Sequence, residues 1–209
     1  MTSQFRIPNS KFRIAVVMGG PSAEHEISLK SGRGVAQALA ARGWPVVALE
    51  LPKTLTPQEA LQEVRSRLVA SRAEVVFVAL HGTFGEDGSV QHLCEELPVA
   101  YVGSGPQASR LGLDKVESRR RFEGAGLAVP PWRLIAATPQ AARAAIQTYP
   151  VVVKPTNQGS SIGVSLVASD DQLAAAVQNA ACYDDRLLIE AFIQGREVTV
   201  GILDHHALP

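Results

Sequence analysis

Apolar residues along this chain fall into short unbroken runs separated by stretches with helical spacing. FRIAVVM (12–18), WPVVALEL (44–51), EVVFVAL (74–80) and VAYV (99–102) are compact and rich in β-branched residues. In FRIAVVM that is the pattern of a strand covered on both faces, and the other three read as further strands. Between them, Val35 and Leu39 share one face of a helix expected from Glu24 to Ala41 and ended by Gly43. A second helix opens at Pro57 and carries Leu61, Val64 and Leu68 at helical spacing, and a short one is expected from Val90 to Leu97. Strands alternating with helices at this rhythm predict an N-terminal α/β domain over 11–105 with a doubly wound parallel sheet. Residues 1–10 are expected to form a flexible tail.

After Gly103-Ser104-Gly105-Pro106 the pattern changes. A helical stretch over 106–126 leads to Pro130-Pro131, the short run WRLI and a helix over 139–147. Strands are predicted over 150–154 and 161–167, an alanine-rich helix from Asp170 to Ala181, and strands in RLLIEAFI (186–193) and REVTVGIL (196–203). The order strand-helix-strand-strand-helix-strand predicts an α+β layer over 106–194, distinct from the first sheet, with 195–209 opening a further one. A sheet normally has several strands, so this last domain is expected to be incomplete in the chain.

Composition narrows the function classes. Twenty basic residues balance twenty acidic ones among 209, which leaves no overall electrostatic footprint for nucleic acid or membrane. No run approaches the roughly 20 apolar residues of a membrane helix. The N-terminus lacks the apolar core and small-residue cleavage site of a secretion signal, so a cytoplasmic protein is expected. Cys94 and Cys182 lie far apart with no paired spacing; buried free thiols are expected rather than a disulfide or zinc site.

Four stretches carry candidate chemistry. In VVVKPTNQGSSIGVSLV (151–167) the turn is longer than a hairpin needs. No Gly-Lys-Ser/Thr follows the glycines, so it is not a Walker loop. The backbone N–H groups around Gly159, Ser160, Ser161 and Gly163 can wrap anionic oxygens, with Lys154 adding its charge at the entrance. A mobile hairpin with a snorkelling lysine fits the same residues. In MGGPSAEHEIS, glycines after the first strand lead into a helix N-terminus, the crevice where open α/β sheets bind ligands. Glu26 suits the helix dipole, whereas Glu24 could hold a substrate ammonium. The G-x-G-x-x-G spacing of a dinucleotide site is absent. In ALHGTFGEDGSVQ, His81 leaves the third strand on the same crevice, as a structural residue or a ligand-binding one. In LLIEAFIQGREVTV, the backbone between Glu190 and Glu197 could read an adenine edge, the two carboxylates accepting from an amino group or a ribose. Solvated glutamates on an edge strand fit equally well.

In order along the chain, GGPSAEHEIS, ALHGTFGEDGSVQ, YVGSGPQASRLGLDK, GLAVPPW, VVVKPTNQGSSIGVS and LLIEAFIQGREVTVGIL resemble the D-alanine–D-alanine ligase family of the ATP-grasp superfamily. The resemblance spans about Lys11 to Pro209. It implies a pre-ATP-grasp domain followed by an ATP-grasp domain that is incomplete here. ATP then lies beneath the turn of Gly159, Ser160, Ser161 and Gly163, with Lys115 and Lys154 on its phosphates. Glu190, Phe192 and Ile193 match the family's adenine-reading hinge, and Glu197 its ribose contact. Glu24 matches the carboxylate that positions the first D-alanine, Ser160 its partner in the phosphate loop, and His81 the histidine beside that substrate.

The implied reaction makes D-alanyl-D-alanine for peptidoglycan. The first D-alanine's carboxylate takes the γ-phosphate of ATP, and the amine of the second displaces phosphate from the acyl phosphate. The family also implies a homodimer and Mg2+ or Mn2+, whose ligands lie in the part of the family beyond residue 209. Asp204, His205 and His206 are not expected to replace them. The 209-residue chain by itself is expected to lack turnover, as a fragment of a working ligase or as an inactive remnant or nucleotide-binding module. Another ATP-grasp carboxylate–amine ligase is disfavoured by Glu24, because a carboxylate there suits an amino-acid ammonium.

Overall fold

The computed structural model describes residues 11–203 and 206–208. The tail expected over 1–10, and Asp204 and His205, lie outside the described residues.

The first half builds one parallel sheet. Its strands are β1 (Ile14–Gly19), β2 (Val46–Leu51), β3 (Val75–Val78) and β4 (Ala100–Val102), in the order β2-β1-β3-β4. Alternation along β1 explains why its apolar run is continuous. Ala15 and Val17 face α2 (Pro57–Ser71) and α3 (Ser89–Glu96), while Val16 and Met18 face α1 (His25–Ala41). All four of these β1 residues are fully buried. The α2 N-terminus is a capping box: Thr56 accepts from the Glu59 N–H, and the Glu59 carboxylate accepts from the Thr56 N–H.

The second half forms an antiparallel sheet in the order β5-β8-β6-β7, from β5 (Trp132–Ala136), β6 (Val151–Pro155), β7 (Ser165–Val167) and β8 (Arg186–Ala191). Val151, Val153, Leu187 and Ile189 pack on one face against α6 (Pro139–Ala145) and α7 (Leu173–Ala181). Period-two alternation sends Val152, Lys154, Leu188 and Glu190 to the other face. Val152 sits opposite Glu190 in the β6–β8 ladder, and Lys154 opposite Leu188.

Several expectations change. The helix predicted over 106–126 is two helices, α4 (Pro106–Leu113) and α5 (Lys115–Gly124). Asp114 divides them: its backbone is extended, and its carboxylate accepts from the Val116 and Glu117 N–H groups at 2.9 and 3.0 Å. The strand predicted over 161–167 is confined to Ser165–Val167, because Ser161 and Gly163 have φ of +58° and +71°, which no strand accommodates. Glu190 is not on an edge strand, since β8 lies between β5 and β6. The strand predicted over 196–203 shrinks to β9 (Ile202–Leu203), paired among the described residues with β10 (His206–Ala207). Gly201 extends this pairing, its carbonyl accepting from the Leu208 N–H at 2.8 Å, whereas residues 195–200 have no neighbouring strand among the described residues, and Val198 and Val200 are exposed. Cys94 is a buried free thiol, pushed up to about 11 by burial. Cys182, at the end of α7, is a free thiol exposed to solvent rather than buried. No described helix is long and apolar enough to cross a membrane.

Candidate active site

The turn from β1 into α1 places Glu24. Gly19 and Gly20 have φ of +83° and +80°, and a Cβ on Gly19 would lie 2.5 Å from the Leu51 carbonyl oxygen. Only glycine fits a left-handed turn with so close an approach. The buried Ser28 hydroxyl accepts from the Gly19 N–H at 2.8 Å and donates to the Ala79 carbonyl at 2.7 Å. The carboxyl ends of β1 and β3 are thereby tied to α1. Glu24 is the N-cap of α1 rather than a first-turn residue, its N–H donating to the Ser22 hydroxyl at 3.1 Å.

Glu24 is only 5% exposed. One oxygen, Oε1, accepts from the Ser160 hydroxyl. The other, Oε2, is buried without a partner. It lies in a gap between two glycines: a Cβ on Gly82 would stand 2.6 Å from it, and one on Gly159 3.0 Å. A buried carboxylate oxygen with no donor is costly, and the space beside it suits a small cationic donor.

His81 meets α1 at Ser31, about two turns on from Glu24. Ser31 donates to the Ile27 carbonyl at 2.6 Å, so the 2.9 Å contact between His81 Nε2 and Ser31 Oγ runs from the ring N–H to the hydroxyl. His81 Nδ1 faces Glu86 Oε1 at 3.4 Å. A cleft of about 540 Å³ is lined by His81, Gln91, Ser104, Lys115, Gln158 and Gly159 among others.

The connection from β6 to β7 closes over this region. Ser160, Ser161 and Gly163 all have positive φ, and the Ile162 N–H donates to the Gly159 carbonyl at 3.0 Å. The start of the connection is pinned. Asp184 accepts from the Thr156 N–H at 3.0 Å, the Thr156 hydroxyl at 2.5 Å and the Asn157 amide at 3.2 Å, and the Thr156 carbonyl accepts from the Lys115 N–H at 3.0 Å. Burial by itself would raise the Asp184 carboxyl, but hydrogen bonds led by the Thr156 hydroxyl outweigh it and hold it below the ordinary value. A carboxyl lowered in the folded state stabilises above its unfolded value near 4, and that contribution is lost as pH falls through the folded value. Asp184→Asn is therefore expected to cost about 2 kcal/mol near neutrality. The gap from the unaltered chain should close in acid, as chemical denaturation across pH will show.

The basic cluster lies on the open face of the second sheet, where α5 reaches it. Lys154 from β6 and Arg119 from α5 each bind one oxygen of Glu190. The side chains of Lys154 and Arg119 are 14% exposed and that of Glu190 9%. Lys115 donates to the Gln158 carbonyl in the turn. Burial, with the nearby charges of Lys154 and Arg119, lowers the Lys115 ammonium from its ordinary value. Such a site is short of negative charge.

The fold thus joins Glu24 to Ser160, brings His81, Lys115 and Gly159 to one cleft, and pairs Lys154 with Glu190. Ser161 is exposed, and Gly163 is buried where a Cβ would meet Tyr183 at 2.9 Å. Phe192, Ile193 and Glu197 lie outside these clusters, exposed on the segment after β8, where the Phe192 N–H donates to the Pro150 carbonyl at 3.2 Å. Sequence reasoning missed Arg119 and Asp184. Arg119 stands four residues after Lys115 on one helix, a spacing that puts both on one face. The run Tyr183-Asp184-Asp185-Arg186 carries no comparable signal. Among the described residues no cluster of three His, Cys, Asp or Glu side chains could hold a metal ion.

Comparison with known proteins gives these clusters a context. Residues 51–104 match the family model for the D-ala D-ala ligase N-terminus, and residues 121–208 that for the D-ala D-ala ligase C-terminus. A D-alanine–D-alanine ligase of Geotalea uraniireducens is 44% identical over 197 residues, covering 94% of this chain and 61% of the relative. That of Geobacter sulfurreducens is 43% identical over 197 residues, covering 94% and 60%. The chain thus spans about three fifths of the length of these relatives. Among solved structures, D-alanyl-alanine synthetase A from Vibrio cholerae matches with a TM-score of 0.77 at 25% identity, over 96% of this chain and 66% of that one. D-alanine–D-alanine ligase from Bacillus anthracis complexed with ATP matches with a TM-score of 0.76 at 28% identity, over 95% and 65%.

Proposed function

Because the chain belongs to the D-alanine–D-alanine ligase family, we propose that it supplies the first-substrate site and half of the nucleotide site for ATP-dependent synthesis of D-alanyl-D-alanine. The observation that carries this reading is the Ser160–Glu24 hydrogen bond, which leaves the second Glu24 oxygen buried and unpaired beside Gly82 and Gly159. A protein with no cationic ligand to receive would gain nothing from that arrangement.

On this reading residues 11–105 carry the amino-acid site, 106–194 the first ATP-grasp layer, and 195–209 the start of the second. Glu24 accepts from the ammonium of the first D-alanine, and Ser160 fixes the rotation of the carboxylate. His81, held by Ser31, orients the same substrate. Lys154, Lys115 and the N–H groups of Gly159, Ser160, Ser161 and Gly163 hold phosphate oxygens. Glu190 and the backbone of Phe192 and Ile193 take the adenine, and Glu197 the ribose. When bound, ATP supplies the phosphoryl group that activates the first D-alanine's carboxylate as an acyl phosphate. The 156–164 connection excludes water from that labile species. Mg2+ or Mn2+ is expected in the full-length protein. A homodimer in the cytoplasm belongs to the same reading.

The test follows D-alanine-dependent ADP formation in the full-length protein. Glu24→Gln keeps the shape and removes the charge. It should raise the KM for D-alanine roughly tenfold or more, the scale of a lost charged hydrogen bond, while leaving the affinity for ATP near its original value. Equal use of D-alanine by both forms would remove Glu24 from the substrate site. An absence of D-alanine-dependent ADP formation would overturn the reading as a whole.

A further inference from the structure

The cluster at Glu190 contains one more cation than an ion pair needs. Lys154 binds Oε1 and Arg119 binds Oε2, so each carboxylate oxygen has its own partner. Arg119 is also anchored on its own helix, its Nη1 donating to the Lys115 carbonyl at 3.2 Å. Its Nε is buried and unpartnered. All three side chains are largely withdrawn from water. In such a place a pair is held tightly, and a charge that loses its partner is heavily penalised.

That penalty bears on Lys154. An ammonium bound to a buried carboxylate can turn to a phosphate only if the carboxylate it leaves still has a counter-charge. We propose that Arg119 is that counter-charge: a positioning residue that holds Glu190 so that Lys154 can exchange it for a nucleotide phosphate. Arg119 suits the role because its guanidinium stays charged and presents several donors in a fixed fork. Two cations on Glu190, with Lys115 beside them, also leave the cluster net positive before any ligand arrives. Arg119 touches no phosphate in this scheme; it acts through Glu190. The proposal rests on the nucleotide reading of the site.

Four forms of the full-length protein test it: unaltered, Arg119→Gln, Glu190→Gln, and the double variant with both changes. ATP binding is measured by calorimetry, with thermal melts confirming that each form is folded at the working temperature. Arg119→Gln should weaken ATP binding roughly tenfold or more, the scale of one charge-assisted hydrogen bond. The double variant should bind within a few-fold of Glu190→Gln, because without the carboxylate there is nothing for Arg119 to hold. This comparison also decides the matter if Arg119→Gln does not fold. Unchanged binding by Arg119→Gln would overturn the proposal. So would a loss that persists in full when Glu190→Gln is added, since Arg119 would then act directly or by general support.

A second measurement needs no nucleotide. Lys154 is acylated at fixed pH with a small amine-reactive anhydride, which leaves as carboxylate, and followed by mass spectrometry, with the surface lysines Lys30 and Lys53 as references. Arg119→Gln leaves Glu190 to Lys154 alone, so labelling of Lys154 should slow several-fold, and the double variant should restore it. Equal rates in all forms would overturn the role of Arg119. Failure of the unaltered full-length protein to bind ATP, with the labelling pattern as expected, would count against the nucleotide reading and not against the ion-pair arrangement.

Discussion

Lys154→Ala is expected to weaken ATP binding by about two orders of magnitude, the largest loss from any single side chain in the nucleotide half. Two effects add. The first is the loss of a cation from the phosphate site, and a charged hydrogen bond of this kind is worth roughly 1.5–3 kcal/mol. The second is the exposure of Glu190. Lys154 binds Oε1 of a carboxylate whose side chain is only 9% exposed. Without it, half of that negative charge faces the place where phosphates bind, with only Arg119 to offset it. Lys154→Arg separates the two effects. It keeps the charge on Glu190 but replaces a compact ammonium with a planar fork, so its loss should be smaller and fall mainly on the phosphate contact. Calorimetric titration with ATP checks both variants. Binding by the full-length Lys154→Ala protein within threefold of the unaltered full-length protein would remove Lys154 from the nucleotide site.

The sequence made these residues visible to different degrees, for physical reasons. The parallel sheet was legible because strands buried on both faces must be apolar throughout, and FRIAVVM and EVVFVAL can be little else. The second layer was legible in element order but not in pairing. Nothing in RLLIEAFI says that it lies between β5 and β6, because an antiparallel interior strand with one helix-covered face and one site-bearing face reads much like an edge strand. Glu190 was therefore noticed, but as a solvated or adenine-reading group rather than as the shared partner of Lys154 and Arg119. Its partners stand 36 and 71 residues away, and no local pattern announces such a meeting. REVTVGIL shows the reverse failure. Its alternation is strand-like, yet a strand needs a neighbour to pair with, and residues 195–200 have none among those described. The Ser160–Glu24 bond spans 136 residues. It was inferable only because both residues fell in stretches whose family resemblance assigned them a common substrate.

The second large effect lies in the packing that carries Glu24, and Gly32→Val exposes it. Gly32 is buried in α1, where that helix crosses β1. A Cβ there would stand 2.5 Å from the Met18 Cβ and 2.8 Å from its sulfur, and Met18 is fully buried. The nearest of these atoms is fixed to the β1 backbone, so rotamer adjustment cannot relieve the clash and α1 must move away from the sheet. Overpacking of this kind costs about 3 kcal/mol. For a chain of this size that corresponds to a fall in Tm of roughly 6–12 °C. Gly34→Ala is the matched control. It lies on the same helix with nothing within 4 Å of its Cβ position, so the better helix propensity of alanine should raise stability by up to about 1 kcal/mol. Opposite shifts from two glycines two residues apart would show that contact with β1, not helix propensity, fixes the seat of α1. The consequence reaches the site because Glu24 is the N-cap of that helix and meets Ser160 from the opposite half. Lifting α1 should therefore weaken D-alanine affinity even at temperatures where Gly32→Val is folded, while Gly34→Ala leaves it unchanged. Retention of full D-alanine affinity by a folded Gly32→Val protein would show that Glu24 is not held in place by the α1–β1 contact.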